Sequence, residues 1–217
     1  MHNKQVILFD LDGTLTDSAL GIINGARKGL EWFGVQEPDQ DKLYKFIGPP
    51  LLESYQTFYG MTPQQAEEAV KVYRAYYSVT GLFENRVYDG IPALLQDLRA
   101  AGKTLVVATS KPETFSLRIL EKFDLAKYFH YIAGASLDTS RANKSAVVAH
   151  ALGLCGHPAP ETVVMVGDRM HDVEGANNNG LQSIGVLYGY GDRAELEKEG
   201  ATVIAESVEQ LRSILLG

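Results

Sequence analysis

The sequence predicts an α/β protein in which a parallel β-sheet lies between layers of helices and carries a small helical insertion. Apolar runs typical of buried strands alternate with helical patterns after Val87. By contrast, residues 16–85 contain helical patterns and no convincing buried strand. We therefore expect a sheet domain made from residues 1–15 and 86–217, interrupted by an inserted α-helical cap at residues 16–85.

The first strand is the apolar run at residues 6–9, which is typical of a strand buried on both faces. Asp10 and Asp12 follow it, and because they are two residues apart they leave the strand toward the same side. Gly13 allows a sharp turn that presents backbone amides, which Thr14 helps to orient. Ligands of open α/β sheets bind beyond the carboxyl ends of the strands, so this acidic pair is a candidate site.

The insertion is predicted to hold helices. Asp17 or Ser18 can cap the first helix, and Gly34 ends it. A second helix follows the turn at residues 47–50, and a capping box with proline at the first helical position opens a third at residues 62–65. Tyrosines at helical spacing are interpreted as the core of a helical bundle and not as a platform for stacking bases.

From residue 87 onward, strands and helices alternate. Right-handed crossovers between parallel strands then give a three-layer fold, in which the sheet lies between two layers of helices. The predicted helices lie at residues 92–101, about 112–123, 144–152, 172–179 and from 207, and the predicted strands at residues 104–108, 131–133, 162–166, 183–186 and 202–204.

Two later strands also end in polar residues. The strand that begins at Thr104 ends in the sequence 109–112, Thr-Ser-Lys-Pro, and the strand that begins at Thr162 ends in Gly167-Asp168 with Asp172 four residues on. Alone, the first acidic pair would read as an ordinary turn that caps a helix. Three apolar strands that deliver polar groups at one end of a sheet are not expected from packing alone.

The composition of the chain limits the classes of molecule that it is expected to bind. The chain has 217 residues, of which 45% are hydrophobic and 22% charged, so it can bury an ample core. Its net charge of −7 disfavours nucleic acid and anionic membranes as partners. The single Cys155, taken as buried filler, and the absence of a signal peptide or a bilayer-spanning run favour a cytoplasmic protein. Monomer and homodimer both remain open.

Four carboxylates, those of Asp10, Asp12, Asp168 and Asp172, are expected to converge on one crevice. Two carboxylates about 5 Å apart repel by roughly 3 kcal/mol at an effective dielectric constant near 20, so the cluster requires a cation. Oxygen ligands without histidine or cysteine suit Mg²⁺, which also binds substrate phosphate. His171 lies between the acids and is assigned no ligand role.

These residues carry a resemblance to a known family. The segment Asp10-Leu11-Asp12-Gly13-Thr14, the hydroxyl of Thr109, Lys144 and the segment 167–172 resemble, in order, the four motifs of the haloacid dehalogenase superfamily. The resemblance covers the whole chain and implies a Rossmann-like catalytic core. It also implies Mg²⁺ held by Asp10, Asp12, Asp168 and Asp172.

The resemblance further implies roles for individual residues. Asp10 matches the aspartate that attacks phosphorus to form an aspartyl-phosphate, and Asp12 matches the acid that protonates the leaving oxygen and later deprotonates water. Gly13, Thr109, the amide of Ser110 and Lys144 match the residues that bind the transferring phosphoryl group.

Individual residues indicate which branch of this family the chain resembles. An aspartate two residues after the nucleophile fits phosphate transfer, whereas dehalogenases and phosphonatases carry other residues there. Phosphomutases of the β-phosphoglucomutase type carry a cap histidine where this chain has Ile22, and an arginine where it has the sequence 48–51, Gly-Pro-Pro-Leu. Both differences count against a mutase.

Two segments instead resemble the phosphoglycolate phosphatase-like branch, which also contains nucleotide phosphatases. They are the turn at residues 46–50 and the stretch from Ser136, Leu137 and Asp138 to Lys144. Lys45 and Arg141 are either ligands for a second anionic group of the substrate or solvated surface charges.

We therefore expect a Mg²⁺-dependent phosphatase of small phosphorylated metabolites whose cap closes over the crevice. Phosphoglycolate, sugar phosphates and, for a 5'-nucleotidase-type enzyme, nucleoside monophosphates are all open as substrates. Two non-hydrolytic alternatives are a phospho-acceptor signalling domain and a catalytically idle phosphate-binding protein.

Overall fold

The central feature of the fold is a sheet of six parallel strands, seen in a computed structural model that describes residues 1–136, 141 and 143–217. Its strands, with two short strands elsewhere, are β1 (Val6–Phe9), β2 (Thr16–Asp17), β3 (Arg86–Val87), β4 (Thr104–Pro112), β5 (Tyr131–Ala135), β6 (Val163–Gly167), β7 (Gln182–Val186) and β8 (Val203–Ala205). The order across the large sheet is β5-β4-β1-β6-β7-β8.

The register brings the carboxyl end of β1 level with the end of β6 and with the middle of β4. Phe9, the last residue of β1, pairs with Val107 of β4 on one side and Val166 of β6 on the other. Strands β1 and β6 are buried along their whole length, as their unbroken apolar sequences predict. The polar residues that follow these strands are therefore delivered to one edge of the sheet.

The α-helices of the described residues are α1 (Ala19–Trp32), α2 (Gln40–Tyr44), α3 (Leu51–Tyr59), α4 (Pro63–Tyr77), α5 (Ile91–Ala100), α6 (Glu113–Lys122), α7 (Lys144–Leu154), α8 (Met170–Asn177), α9 (Arg193–Glu199) and α10 (Val208–Leu216). The parallel sheet flanked by helices confirms the predicted α/β fold class. No helix in the described part of the chain is long and apolar enough to cross a bilayer.

The chain separates into two compact units. One contains residues 1–16 and 87–217 and carries the six-stranded sheet; the other contains residues 17–86 and helices α1 to α4. We call them the sheet unit and the helical unit. Strands β2 and β3 pair with each other where the chain passes from one unit to the other and back.

Each unit has its own apolar core. In the sheet unit, alternate residues of β1 such as Val6 and Leu8 pack with Val147 and Val148 of α7 in one buried cluster. In the helical unit, Tyr55, Tyr73 and Tyr77 are buried. The hydroxyl of Tyr55 donates to the carbonyl of Ala26 at 3.0 Å, and the rings of Tyr73 and Tyr77 stack. The tyrosines are thus bundle core, as predicted.

Helix α7 ends later than predicted. The sequence pattern placed its end at Gly153, but the helix continues to Leu154, and Gly156 adopts the left-handed conformation with φ +74°. The helix is therefore terminated by Gly156, which lies beyond it, and not by Gly153, which lies within it. Cys155 packs against the core of the sheet unit, and burial raises the pKa of its thiol.

The sequence predicts a capping box at residues 62–65 and a second one at residues 207–210, Ser-Val-Glu-Gln, and the two differ in the structure. Thr62 and Gln65 form a complete capping box at the start of α4, as predicted. At the start of α10, the Ser207 hydroxyl accepts from the amide of Gln210 at 3.2 Å, but the Gln210 side chain accepts from the amide of Glu206. The second box is therefore only half formed.

Candidate active site at the carboxyl ends of the central strands

Asp10 is the first residue after β1 and lies at the centre of the site. Its backbone amide donates to the carbonyl of Val166 at 2.9 Å, so the chain is still held in line with β6. The residue is only 8% exposed. Its carboxylate oxygen Oδ1 lies 2.7 Å from the ammonium nitrogen of Lys144. The strand thus delivers a buried, ion-paired carboxylate to the edge of the sheet.

Asp168 follows β6 and is fully buried. Both of its carboxylate oxygens accept hydrogen bonds. The hydroxyl of Thr14 donates to Oδ1 at 3.1 Å, and the backbone amide of Tyr190 donates to Oδ2 at 2.8 Å. These donors come from the segments after β1 and β7, so two other parts of the chain fix the orientation of this carboxylate.

Asp172 lies in the first turn of α8, where its negative charge is favourable with the helix dipole. Its Oδ2 accepts from the backbone amide of Arg169 at 3.1 Å. Its Oδ1 lies 2.7 Å from the ammonium nitrogen of Lys144. Asp172 and Asp10 therefore share one lysine.

Lys144 is the first residue of α7, where a positive charge is unfavourable with the helix dipole. Its ammonium contacts the carboxylates of Asp10 and Asp172 and donates to the carbonyl of Ala108 at 3.1 Å. The two carboxylates compensate for the helix dipole, and the three contacts match the three donors of an ammonium group.

Charge and burial shift the pKa values of these groups. Burial raises the pKa of Asp172 to about 6, although the Lys144 ammonium acts in the opposite direction. Burial, and then the charges of Asp172 and Asp10, raise the pKa of Asp168 well above its usual range. Burial lowers the pKa of Lys144, but Asp10 and Asp172 outweigh it, so the net shift is upward.

The three carboxylates form a group that fits a divalent cation. Asp10, Asp168 and Asp172 each offer an oxygen, and these oxygens lie within 4.8 Å of one another in a buried setting. With the single ammonium of Lys144, the cluster carries a net charge of −2 when all three acids are ionised. Hard oxygen donors and this charge suit Mg²⁺.

Asp12 differs from its expected place as a fourth member of this group. Its Oδ2 lies 2.8 Å from the ammonium nitrogen of Lys111 on β4, and it does not belong to the three-carboxylate group. The reason is that the chain leaves β1 at Phe9, so two residues later the carboxylate reaches a cation on the neighbouring strand. The structure therefore groups three of the four predicted carboxylates, and a role for Asp12 as a cation ligand stays a prediction.

Gly13 and Gly167 permit the close packing of the cluster. Gly13 has φ +82°, and a Cβ at this position would lie 2.1 Å from Oδ2 of Asp168. A Cβ on Gly167 would lie 2.2 Å from the carboxyl carbon of Asp172. Both contacts are shorter than real Cβ atoms allow, so these positions require glycine.

Thr109 and Ser110 follow one another near the end of β4. Thr109 is buried, and its hydroxyl accepts from the backbone amide of Lys111 at 3.3 Å. Ser110 is exposed. Sequence reasoning missed the pairing of Lys111 with Asp12 and the amide of Tyr190. Lys111 belongs to the polar run 109–112, which was the available signal, whereas nothing in the sequence distinguishes the Tyr190 amide.

Several candidate residues have other contacts. A guanidinium nitrogen of Arg141 lies 3.3 Å from Oε2 of Glu113, and its Nε donates to the carbonyl of Gly134 at 3.2 Å. Lys45 is exposed at the end of α2 in the helical unit. His171 is part-exposed, with its Nδ1 3.9 Å from Oε2 of Glu174. Leu137 and Asp138, which carried part of the branch resemblance, lie outside the described residues.

Comparison with known proteins gives a matching family model. The model described as haloacid dehalogenase-like hydrolase matches residues 7–186. That range includes the three carboxylates, Lys144 and both ends of the inserted helical unit.

Curated relatives cover nearly all of this chain. A 5'-nucleotidase of Pseudomonas aeruginosa is 46% identical, with 96% of this chain and 94% of that protein aligned. A tyrosine-protein kinase, PtkA, of Mycobacterium tuberculosis is also 46% identical, with 99% of this chain and 73% of that protein aligned. A phosphoglycolate phosphatase of Aquifex aeolicus is 33% identical over 86% of each chain.

A solved structure has the same fold at similar identity. The crystal structure of a predicted phosphatase from Clostridium acetobutylicum superposes with a TM-score of 0.93 at 46% identity, with 98% of each chain covered.

Proposed function

The chain belongs to the haloacid dehalogenase-like hydrolase family, and we propose that it is a magnesium-dependent phosphatase that hydrolyses small phosphate monoesters through an aspartyl-phosphate on Asp10. One observation carries this proposal. The buried Asp10 carboxylate, directly after β1, contacts the ammonium of Lys144 and lies beside the carboxylates of Asp168 and Asp172. Such an arrangement would place a nucleophilic carboxylate next to a bound divalent cation.

The first half-reaction transfers the phosphoryl group to the enzyme. A carboxylate oxygen of Asp10 forms a bond to phosphorus while the bond from phosphorus to the ester oxygen breaks. Asp12 gives a proton to that ester oxygen, so the alcohol leaves neutral. Mg²⁺ held by Asp10, Asp168 and Asp172 would supply positive charge to balance the phosphoryl oxygens.

The second half-reaction regenerates the enzyme. Water attacks the phosphorus, the bond to Asp10 breaks, and Asp12 takes a proton from the water. Lys144 holds the Asp10 carboxylate in place through both steps. Thr109 and the amide of Ser110, at the end of the neighbouring strand β4, are proposed to donate to phosphoryl oxygens.

For the substrate, we propose nucleoside 5'-monophosphates as the first class and phosphoglycolate as the second. A 5'-nucleotidase is 46% identical to this chain, whereas a phosphoglycolate phosphatase is 33% identical. The helical unit is proposed to act as a cap that chooses the leaving group, because reaction chemistry resides in the sheet unit and family members differ in substrate.

A phosphate-release screen tests this proposal. Purified protein with Mg²⁺ is assayed on nucleoside 5'-monophosphates, phosphoglycolate and sugar phosphates, and turnover is expected on at least one class. Asp10→Asn is expected to abolish it, while Asp124→Asn, which removes an exposed carboxylate of the same unit, serves as the matched control. Full turnover after exhaustive chelation of divalent ions would contradict the proposal.

Two other outcomes identify the alternatives. A single phosphorylation event per chain that is stable and gives no turnover indicates a phospho-acceptor domain. Transfer of phosphate from ATP to tyrosine in a protein substrate, with no net release of phosphate, indicates the activity for which PtkA is named.

A further inference from the structure

Strand β4 is irregular where it passes the candidate site. Its pairing with β5 joins Thr109 to Gly134 and then Pro112 to Ala135. The chain thus advances three residues on β4 for one residue on β5, which leaves Ser110 and Lys111 as extra residues in a bulge. Bulges near sites commonly redirect a side chain that a regular strand would point elsewhere.

The bulge is held from both sides by specific contacts. A Cβ on Gly134 would lie 2.5 Å from the backbone nitrogen of Glu113 and 2.7 Å from the carbonyl oxygen of Lys111, so only glycine lets β5 approach. The fully buried hydroxyl of Ser116 donates to the carbonyl of Pro112 at 3.1 Å. These contacts fix the backbone on either side of Lys111.

The bulge directs Lys111 at Asp12. The ammonium nitrogen lies 2.8 Å from Oδ2 of Asp12, and the side chains are 7% and 19% exposed. Burying a lysine restricts a side chain that has much rotamer freedom in the unfolded chain, so its placement has a cost. The other Asp12 oxygen, Oδ1, is buried and lacks a hydrogen-bond partner among the residues that the structure describes.

We propose that Lys111 is a positioning residue that holds the Asp12 carboxylate in the orientation from which it serves the leaving-group oxygen of the substrate. This inference rests on the proposed function, in which Asp12 gives a proton to that oxygen and later takes one from water. The bond changes are those of the two half-reactions described above, and Lys111 itself gains and loses no proton. Lys111 acts through Asp12 and not on phosphorus.

The leaving group provides the test. A nucleoside 5'-monophosphate loses an alkoxide, which must be protonated as it departs, whereas p-nitrophenyl phosphate loses a phenolate that is stable without a proton. The value of kcat/KM reports the step in which the leaving group departs. For Lys111→Met we expect kcat/KM to fall by about 10²-fold on the alkyl ester, within the usual worth of general acid catalysis. On p-nitrophenyl phosphate we expect little change.

Comparison variants sharpen the result. Asp12→Asn is expected to show the same selective loss, and Asp12→Asn with Lys111→Met should lose no more than Asp12→Asn alone, because the two act as one unit. Lys127→Met removes an exposed lysine of the same unit and should behave like wild type on both esters. An equal loss on both esters, or no loss on either, would overturn the proposal.

A structural measurement separates this inference from the proposed function. In a crystal structure of Lys111→Met, the Asp12 carboxylate is expected to rotate away while the contacts of Lys144 with Asp10 and Asp172 remain. An unmoved Asp12 carboxylate would overturn the positioning role whatever the enzyme hydrolyses. Failure of the wild-type protein to release phosphate from any ester would instead overturn the proposed function.

Discussion

Gly13 and Asp168 approach so closely that no other residue fits at position 13: a Cβ there would lie 2.1 Å from Oδ2 of Asp168. The same backbone segment provides Thr14, whose hydroxyl donates to the other oxygen of that carboxylate. The turn after β1 therefore both makes room for Asp168 and orients it.

Gly13→Ala is expected to destabilise the sheet unit and weaken cation binding. The left-handed backbone alone costs an alanine about 1–2 kcal/mol, and displacement of Asp168 adds to this. Gly102→Ala is the matched control, because Gly102 has φ +74° and open space around its Cβ position. Urea denaturation should show a larger loss for Gly13→Ala than for Gly102→Ala, and equal losses would contradict the close-contact argument.

Lys144→Met should strongly destabilise the metal-free protein. It leaves the buried carboxylates of Asp10 and Asp172 without their shared cation, and removal of one partner of a buried ion pair costs about 3–5 kcal/mol. The free energy of unfolding is measured by urea denaturation in the presence of a chelator. Lys127→Met, which removes an exposed lysine, should leave it unchanged. An unaltered unfolding midpoint for Lys144→Met would count against this ion-pair network.

Asp12→Asn and Asp168→Asn should differ in cation affinity. The carboxylate of Asp168 belongs to the three-oxygen group, whereas that of Asp12 is paired with Lys111. Titration calorimetry with Mg²⁺ should give near wild-type affinity for Asp12→Asn and a loss of at least about 100-fold for Asp168→Asn, more than loss of an outer contact usually costs. Similar losses in both variants would restore the four-carboxylate site that the sequence suggested.

The stability conferred by Mg²⁺ should increase with pH. Burial, opposed by Lys144, raises the pKa of Asp172 from 3.8 to about 6, so this acid favours the fold below pH 3.8 and loses that contribution as pH rises toward about 6. The ionised form is the one that binds a cation, so protons and Mg²⁺ compete below about pH 6.

Melting temperatures with Mg²⁺ and with a chelator, measured from pH 5 to pH 7.5, test this sign. The difference between the two curves is expected to grow through about pH 6. In Asp172→Asn that growth should be reduced, because asparagine does not titrate. A difference that shrinks as pH rises would contradict the assignment of Asp172 as a cation ligand.

The sequence predicted the strands of the large sheet well because each is an unbroken apolar run. Such runs, of which residues 6–9 are an example, must be buried, and a parallel sheet buries them on both faces. Once those strands lie side by side, the residues after them must meet. This is why the sequence predicted a group of four carboxylates, of which the structure brings Asp10, Asp168 and Asp172 together. Helix α9 was missed, since it is short and mostly charged and shows no apolar stripe.

The partner of Asp12 could not be predicted from spacing. An i, i+2 relation keeps two side chains together only while the backbone stays extended, and β1 ends at Phe9, before both aspartates. The bulge that brings Lys111 into place depends on close packing between β4 and Gly134, a tertiary contact with no local signature.

The pairing of β2 with β3 has a consequence for how such a chain can diversify. Residues 17–86 depart and return at adjacent positions of one small sheet, so helices added to or lost from this stretch shift no hydrogen bond of the large sheet. Under the proposed function, a change in the helical unit would then alter which phosphate ester is recognised and leave the aspartates and Lys144 of the sheet unit in place.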